Sequence, residues 1–203
     1  VRTKKSGRSH LLAAGCHAVD ALRWCTGLEV TEVSAFASTI TAGYQWPTSV
    51  IANLKMTSSG AKRGQPMLAQ LVSSTDLQMP YAFGVEMMGD RATLRDDLIL
   101  WQDTPVDLAA LRRACPFDDV KLVEEKTASG APAIRIVTAM PGSADVAHHP
   151  FQGEIDELVA CVLEDRETHL NVFDAEVTMR VCLAVDRSAA REGRTVKLTK
   201  GTR

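Results

Sequence analysis

Between Val30 and Val137 the apolar and β-branched residues recur mostly at every second position, in short runs broken by turn residues. No other feature limits the fold as strongly. Val30–Thr41 (VTEVSAFASTIT), Ser49–Met56, Met67–Ser73 and Pro80–Met88 read as strands, and Ala92–Leu94, Leu98–Trp101, Val120–Val123 and Ile134–Val137 as shorter ones. The links between them are brief: Gly43–Thr48 with Pro47, the loop Ser58–Gly64, and the tight turn at Gly89-Asp90. A parallel crossover needs a dozen or more residues, so strands linked this closely are expected to pair antiparallel.

Helical spacing flanks the strands. Ser9–Gly27 opens the chain, and a short helix with Pro105 at its first position is predicted over Thr104–Arg113. Phe151–Leu163 places Phe151, Ile155, Leu158 and Val162 on one face. Phe173–Arg191 lines up Ala175, Met179, Cys182, Val185 and Ala189, with Asn171 or Asp174 as its cap and Gly193 after its end. Thr195–Leu198 is a last strand. The order predicts an α+β fold, an open and mainly antiparallel sheet with helices on one face. The other sheet face then meets solvent or a partner. Val33, Ala35, Ile51 and Met67 are apolar enough to favour a partner.

The first helix has two stripes. Leu12, Cys16, Val19, Leu22 and Cys25 form an apolar one, and Ala13, His17, Asp20 and Trp24 a second beside it. Steps of three and four bring His17 and Asp20 to the same space. Gly15 costs about 1 kcal/mol relative to alanine inside a helix, which points to a close backbone approach or the helix start. Gly27 stands where a helix C-cap belongs. A histidine beside a carboxylate can do acid–base work, although such pairs are more often structural hydrogen bonds.

With 203 residues, 45% hydrophobic and 24% charged, the chain is long enough for a sizeable core. A net charge of −2 provides no global attraction for nucleic acid or anionic membrane. No apolar run approaches the ~20 residues of a transmembrane helix, and no signal peptide opens the chain. The five cysteines are scattered and never spaced as CxxC, which fits a reducing cytosol and argues against zinc. The basic segment Val1–Arg8 reads as a linker remnant, with 9–203 as one α+β domain. Val1 in place of methionine is expected of a processed product or a piece of a longer protein.

Taken together, the Ser9–Leu12 run, Gly15, His17, Asp20, Trp24 and Gly27 resemble the Gfo/Idh/MocA oxidoreductases, the glucose–fructose oxidoreductase and inositol dehydrogenase group. The similarity continues through Met88–Leu94, Phe151–Leu158, Asp174-Ala175 to Ser188-Ala189, and Gly193–Leu198. It covers the C-terminal, substrate-binding and oligomerisation half of such enzymes. The resemblance implies a sugar, polyol or related hydroxylated substrate and a homo-oligomer formed through the open sheet face. It also implies NAD or NADP in the intact enzyme, held by an N-terminal Rossmann domain. No two glycines here are two residues apart, as the Rossmann fingerprint requires, and no lysine precedes a proline. The chain alone is therefore expected to bind no cofactor and to be inactive.

The resemblance makes His17 the general acid/base at the substrate oxygen. Histidine, with an ordinary pKa of about 6.5, takes such a proton at neutral pH. Asp20 would orient the imidazole or bind a substrate hydroxyl, and Trp24 would line the substrate side. Many dehydrogenase members carry an aspartate four residues before the histidine, where this chain has Ala13. That departure favours, as the alternative, a non-catalytic binding or self-assembly module on the same fold. Elsewhere, His148-His149 beside Pro150 lack a carboxylate for a metal site. Trp46-Pro47 and Trp101 could stack on a sugar but more simply pack. Asp96-Asp97 reads as a turn, Glu124–Lys126 as a solvated face, and Cys16 as core.

Overall fold

The computed structural model describes residues 5, 7–57, 66–78, 82–114, 120–138 and 151–198. In chain order the elements are a π-helix (Leu11–Gly15), α1 (Cys16–Thr26), β1 (Glu29–Ser38), β2 (Ser49–Thr57) and β3 (Met67–Ser74). Then come β4 (Glu86–Met88), β5 (Thr93–Arg95), β6 (Leu98–Leu100), α2 (Leu108–Ala114), β7 (Val120–Lys126) and β8 (Pro132–Thr138). The chain continues with α3 (Phe151–Glu164), α4 (Val172–Ala189) and β9 (Val196–Lys197). The fold is α+β, as the order of periodicities implied. Most of the Val1–Arg8 lead-in, the Ser58–Gly64 loop, the start of the Pro80–Met88 strand, Cys115 and the His148-His149 connector lie outside the described residues.

Two compact units divide the chain, one of residues 1–80 with 169–203 and the other of 81–168. The single open sheet expected from the sequence is therefore two open antiparallel sheets. The first unit holds the order β3-β2-β1-β9, and the second β4-β5-β6-β8-β7. Alternation reports that strands exist, but which strand neighbours which depends on contacts remote in sequence.

In the first unit, helices cover one face of the sheet. Leu11 and Val19 meet Val33, Ala35, Leu54 and Met56 of the sheet and Val181, Cys182 and Val185 of α4, all 2% exposed or less. Val33, Ala35 and Met67 thus belong to the covered face, not to the open one on which they were expected; of the four, Ile51 alone lies on the open face. The open face carries Phe36, Ile51 and Val72 in one cross-strand row, with Leu68 four residues before Val72 on β3. These four are half to three-quarters exposed.

The first helix is displaced from its expected phase. A π turn carries about one residue more than an α turn, so Leu11 is fully buried, while Leu12, Cys16 and Leu22 of the expected stripe pack half-buried against the core. The buried residues become Leu11, Gly15, Val19 and Arg23, while Cys25 is exposed. Gly15 is the close approach: a Cβ there would lie 2.7 Å from both Leu11 Cδ1 and Ser73 Oγ. Gly27 closes α1 in the left-handed region at φ 63°, its N–H donating to the Arg23 carbonyl, as expected of a C-cap.

In the second unit, Asp96 (φ 52°) and Asp97 make the β5–β6 turn. Asp97 and Glu125 both grip Arg135, at 2.7 Å each. Helix α2 begins later than Pro105, because Asp107 Oδ1 accepts from the Ala110 N–H and sets the start there. Asn171 caps α4, accepting from the Phe173 and Asp174 N–H groups.

Candidate functional site

The second stripe of α1 stays at the surface. His17 is exposed, Trp24 is 74% exposed, and Asp20 lies between them with its carboxylate 32% exposed. The His17 imidazole makes no hydrogen bond to any described residue. Asp20 is anchored away from it: Oδ1 accepts from Thr178 Oγ1 at 2.8 Å and sits 3.6 Å from an Arg23 guanidinium nitrogen. Its other oxygen has no partner among the described residues and remains able to accept from an incoming hydroxyl.

Beneath this stripe lies an arginine that sequence reasoning missed. Arg23 is 7% exposed and holds three elements together. Its Nε and one terminal nitrogen donate to Glu29 at 2.9 and 3.0 Å, in the two-pronged geometry that suits a carboxylate. The same terminal nitrogen reaches Asp174 Oδ1 at 2.9 Å, and the other donates to Thr178 Oγ1 at 2.7 Å. Thr178 in turn donates to Asp20, so the arginine fixes the carboxylate beside His17 through one hydroxyl. The hydrogen bond to Glu29 outweighs burial, and with Asp174 holds the guanidinium well above its ordinary pKa. Its position in the last turn of α1, with Asp174 in the first turn of α4, also suits both helix dipoles. A signal was present in the sequence: a cation interrupting an otherwise apolar helix face, three residues after Asp20.

A second polar knot closes one end of the same sheet. Asp76 accepts from Ser49, Thr48 and Thr41 hydroxyls at 2.6, 2.6 and 2.5 Å, and from the Thr41 N–H at 3.2 Å. These hydrogen bonds, led by that from Ser49, hold its carboxyl well below the ordinary carboxylate range. His10 lies nearby, its pKa lowered by burial against a smaller upward pull from Asp76. With every Asp76 oxygen engaged, the knot is a staple between the chain ends of β1, β2 and β3.

Two cysteines of this unit lie in or against its core. Cys16 packs against the core as expected, and burial pushes the Cys182 thiol up to about 12. Among the described residues no group of three His, Cys, Asp or Glu side chains could hold a metal ion. No helix there is long and apolar enough to cross a membrane. Both sheets are antiparallel, so no described segment has the strand–turn–helix of a parallel unit that seats a dinucleotide.

No curated protein matches the sequence. The model of the GFO/IDH/MocA C-terminal domain matches residues 1–95, which include His17, Asp20, Trp24 and the first sheet through β3. Among solved structures, aldose-aldose oxidoreductase from Caulobacter crescentus, complexed with glycerol, is 24% identical with a TM-score of 0.61, covering 93% of this chain and 47% of that one. Myo-inositol 2-dehydrogenase from Lactobacillus plantarum is 17% identical at 0.61, covering 94% and 49%. Scyllo-inositol dehydrogenase from Lactobacillus casei, with bound NAD(H) and scyllo-inositol, is 16% identical at 0.59, covering 95% and 49%. At these identities the likeness is one of fold. The chain spans about half the length of the structures it matches.

Proposed function

From the GFO/IDH/MocA C-terminal match as premise, we propose that this chain is the substrate-binding and subunit-contact domain of an NAD(P)-dependent oxidoreductase. Its substrate is a sugar, a polyol or a related hydroxylated compound. The observation that carries the reading is the exposed stripe of α1, where an imidazole with no hydrogen bond to any described residue shares the helix face with a carboxylate held by Thr178 and Arg23. An imidazole nitrogen of His17 takes the proton from a substrate hydroxyl during oxidation and returns it during reduction. The free Asp20 oxygen orients a neighbouring hydroxyl, and the Trp24 ring offers an apolar wall. The cofactor supplies hydride exchange from a domain other than the described residues. The 203-residue chain by itself turns over no NAD(P)H.

The test is His17→Asn in the enzyme carrying its cofactor domain. We expect kcat to fall about 10²–10⁴-fold, with loss of the histidine limb of the pH–rate profile. Unchanged kcat and an unchanged profile refute the assignment.

A second reading, a non-catalytic assembly module, draws on Ala13 and on the open sheet face. The Phe36–Ile51–Val72 row with Leu68 forms an apolar strip across three strands. Oligomerisation through this face is compatible with either reading, so loss of activity at His17 decides between them. Ile51→Lys, at a half-exposed position, is expected to leave the fold intact and shift the protein to monomer in sedimentation analysis.

A further inference from the structure

Within residues 81–168 the β4–β5 turn and the segment following β6 enclose an open cleft of about 670 Å³. That is within the size range of small-molecule sites. Asp90 and Arg91 line it from the turn, and Trp101, Gln102, Asp103 and Thr104 from the other side. An adjoining hollow of about 340 Å³ shares Arg91 and Thr104 and continues along the start of α2.

Four polar side chains of this cleft are unengaged among the described residues. Among the described residues the side chains of Asp90, Arg91, Gln102 and Asp103 make no hydrogen bond or ion pair. Their neighbour Arg95, which also borders the cleft, is by contrast committed to Glu86 at 3.0 Å through Nε. The half-buried Trp101 adds a flat ring whose indole N–H has no partner among the described residues.

The mixture discriminates among ligand classes. A phosphate-type anion would face two carboxylates, and a metal cation would face a guanidinium. A purely apolar ligand would strip water from four polar groups and replace none of their hydrogen bonds. A sugar ring satisfies all of them, because each hydroxyl both donates and accepts. Asp90 and Asp103 accept from hydroxyls, Arg91 and Gln102 donate to them, and the C–H face of the ring lies on the indole.

We propose that this groove binds a short pyranose saccharide, at a site separate in sequence and in structural unit from His17. It does not depend on the role assigned to His17. The test uses the 203-residue chain labelled with ¹⁵N at tryptophan, whose three indole N–H signals belong to Trp24, Trp46 and Trp101. Trp101→Phe identifies the relevant signal. Titration with maltose and with cellobiose is expected to shift the Trp101 signal saturably for at least one of them. Arg91→Ala and Asp103→Ala, both at exposed positions, are expected to weaken that binding about tenfold or more while leaving the spectrum folded. Three outcomes overturn the proposal: no saturable shift at Trp101 with either sugar, an equal shift with inorganic phosphate, or both variants binding as the parent does.

Discussion

Replacing Arg23 by alanine tests whether the arginine hub holds the first unit together. The substitution removes the donors to Glu29, Asp174 and Thr178, and leaves Asp20 tied only to a threonine that has lost its own donor. Breaking one side of a fully buried ion pair costs about 3–5 kcal/mol. Here Glu29 and Asp174 are 45% and 40% exposed, so water rehydrates the abandoned carboxylates and recovers part of that loss. The expected cost is about 2–3 kcal/mol. For a chain of this length that lowers Tm by about 4–12 °C in a calorimetric or circular-dichroism melt. Arg23→Lys keeps the charge but not the planar fork, and should fall between alanine and the parent. The decisive experiment is the double-mutant cycle of Arg23→Ala with Asp174→Ala, for which a coupling of about 1 kcal/mol or more is expected. A coupling below about 0.5 kcal/mol, or an Arg23→Ala loss under about 1 kcal/mol, would mean that the hub is a solvated surface pair and the reasoning is wrong. On the proposed role of Asp20, the same variant in the protein carrying its cofactor domain shifts KM and kcat together with stability, because it loosens that carboxylate through Thr178.

Gly15→Ala is expected to destabilise by about 1–3 kcal/mol in urea unfolding, because its Cβ would press on Leu11 Cδ1 and Ser73 Oγ. Adding Ser73→Ala should return part of the loss, and its failure to do so would place the strain elsewhere. Asp186, on α4, accepts from Ser9 Oγ at 2.7 Å, yet burial outweighs that bond and raises its carboxyl above the ordinary 3.8. A raised carboxyl binds its proton more tightly when folded, so stability is lost as pH rises from 3.8 through the folded pKa. Asp186→Asn should therefore be more stable than the parent at pH 7, with the advantage shrinking as pH falls through the raised folded pKa and lost below the ordinary 3.8. A constant difference across that range would show that the residue does not titrate on folding.

Several elements were legible in the sequence because their causes are local. The αL cap at Gly27, the Asn171 cap and the antiparallel hairpins follow from the chemistry of a few neighbouring residues. The family resemblance rested on similarly short patterns, and the match over residues 1–95 includes the first of them. The phase of the first helix was less accessible. An unbroken 3.6-residue period put Leu12 and Cys25 toward the core; Leu12 packs at its edge, Cys25 is exposed, and Leu11 and Arg23 take the fully buried positions. Burying Arg23 runs against its polarity, and it becomes tolerable only with three acceptors in reach, two of them on a helix about 150 positions later.

From sequence alone came the strand spans, the antiparallel hairpins, the helix caps and the stripe on which His17, Asp20 and Trp24 lie, since periodicity and turn chemistry act within a dozen residues. Tertiary structure alone decided that the strands divide into two sheets and that β9 completes the first beside β1. It also decided that Asp20 answers to Thr178 and Arg23, and that Asp76 gathers three hydroxyls. Each of those outcomes sets the desolvation of a polar group against partners far away in sequence, a balance that exists only once the chain has brought them together.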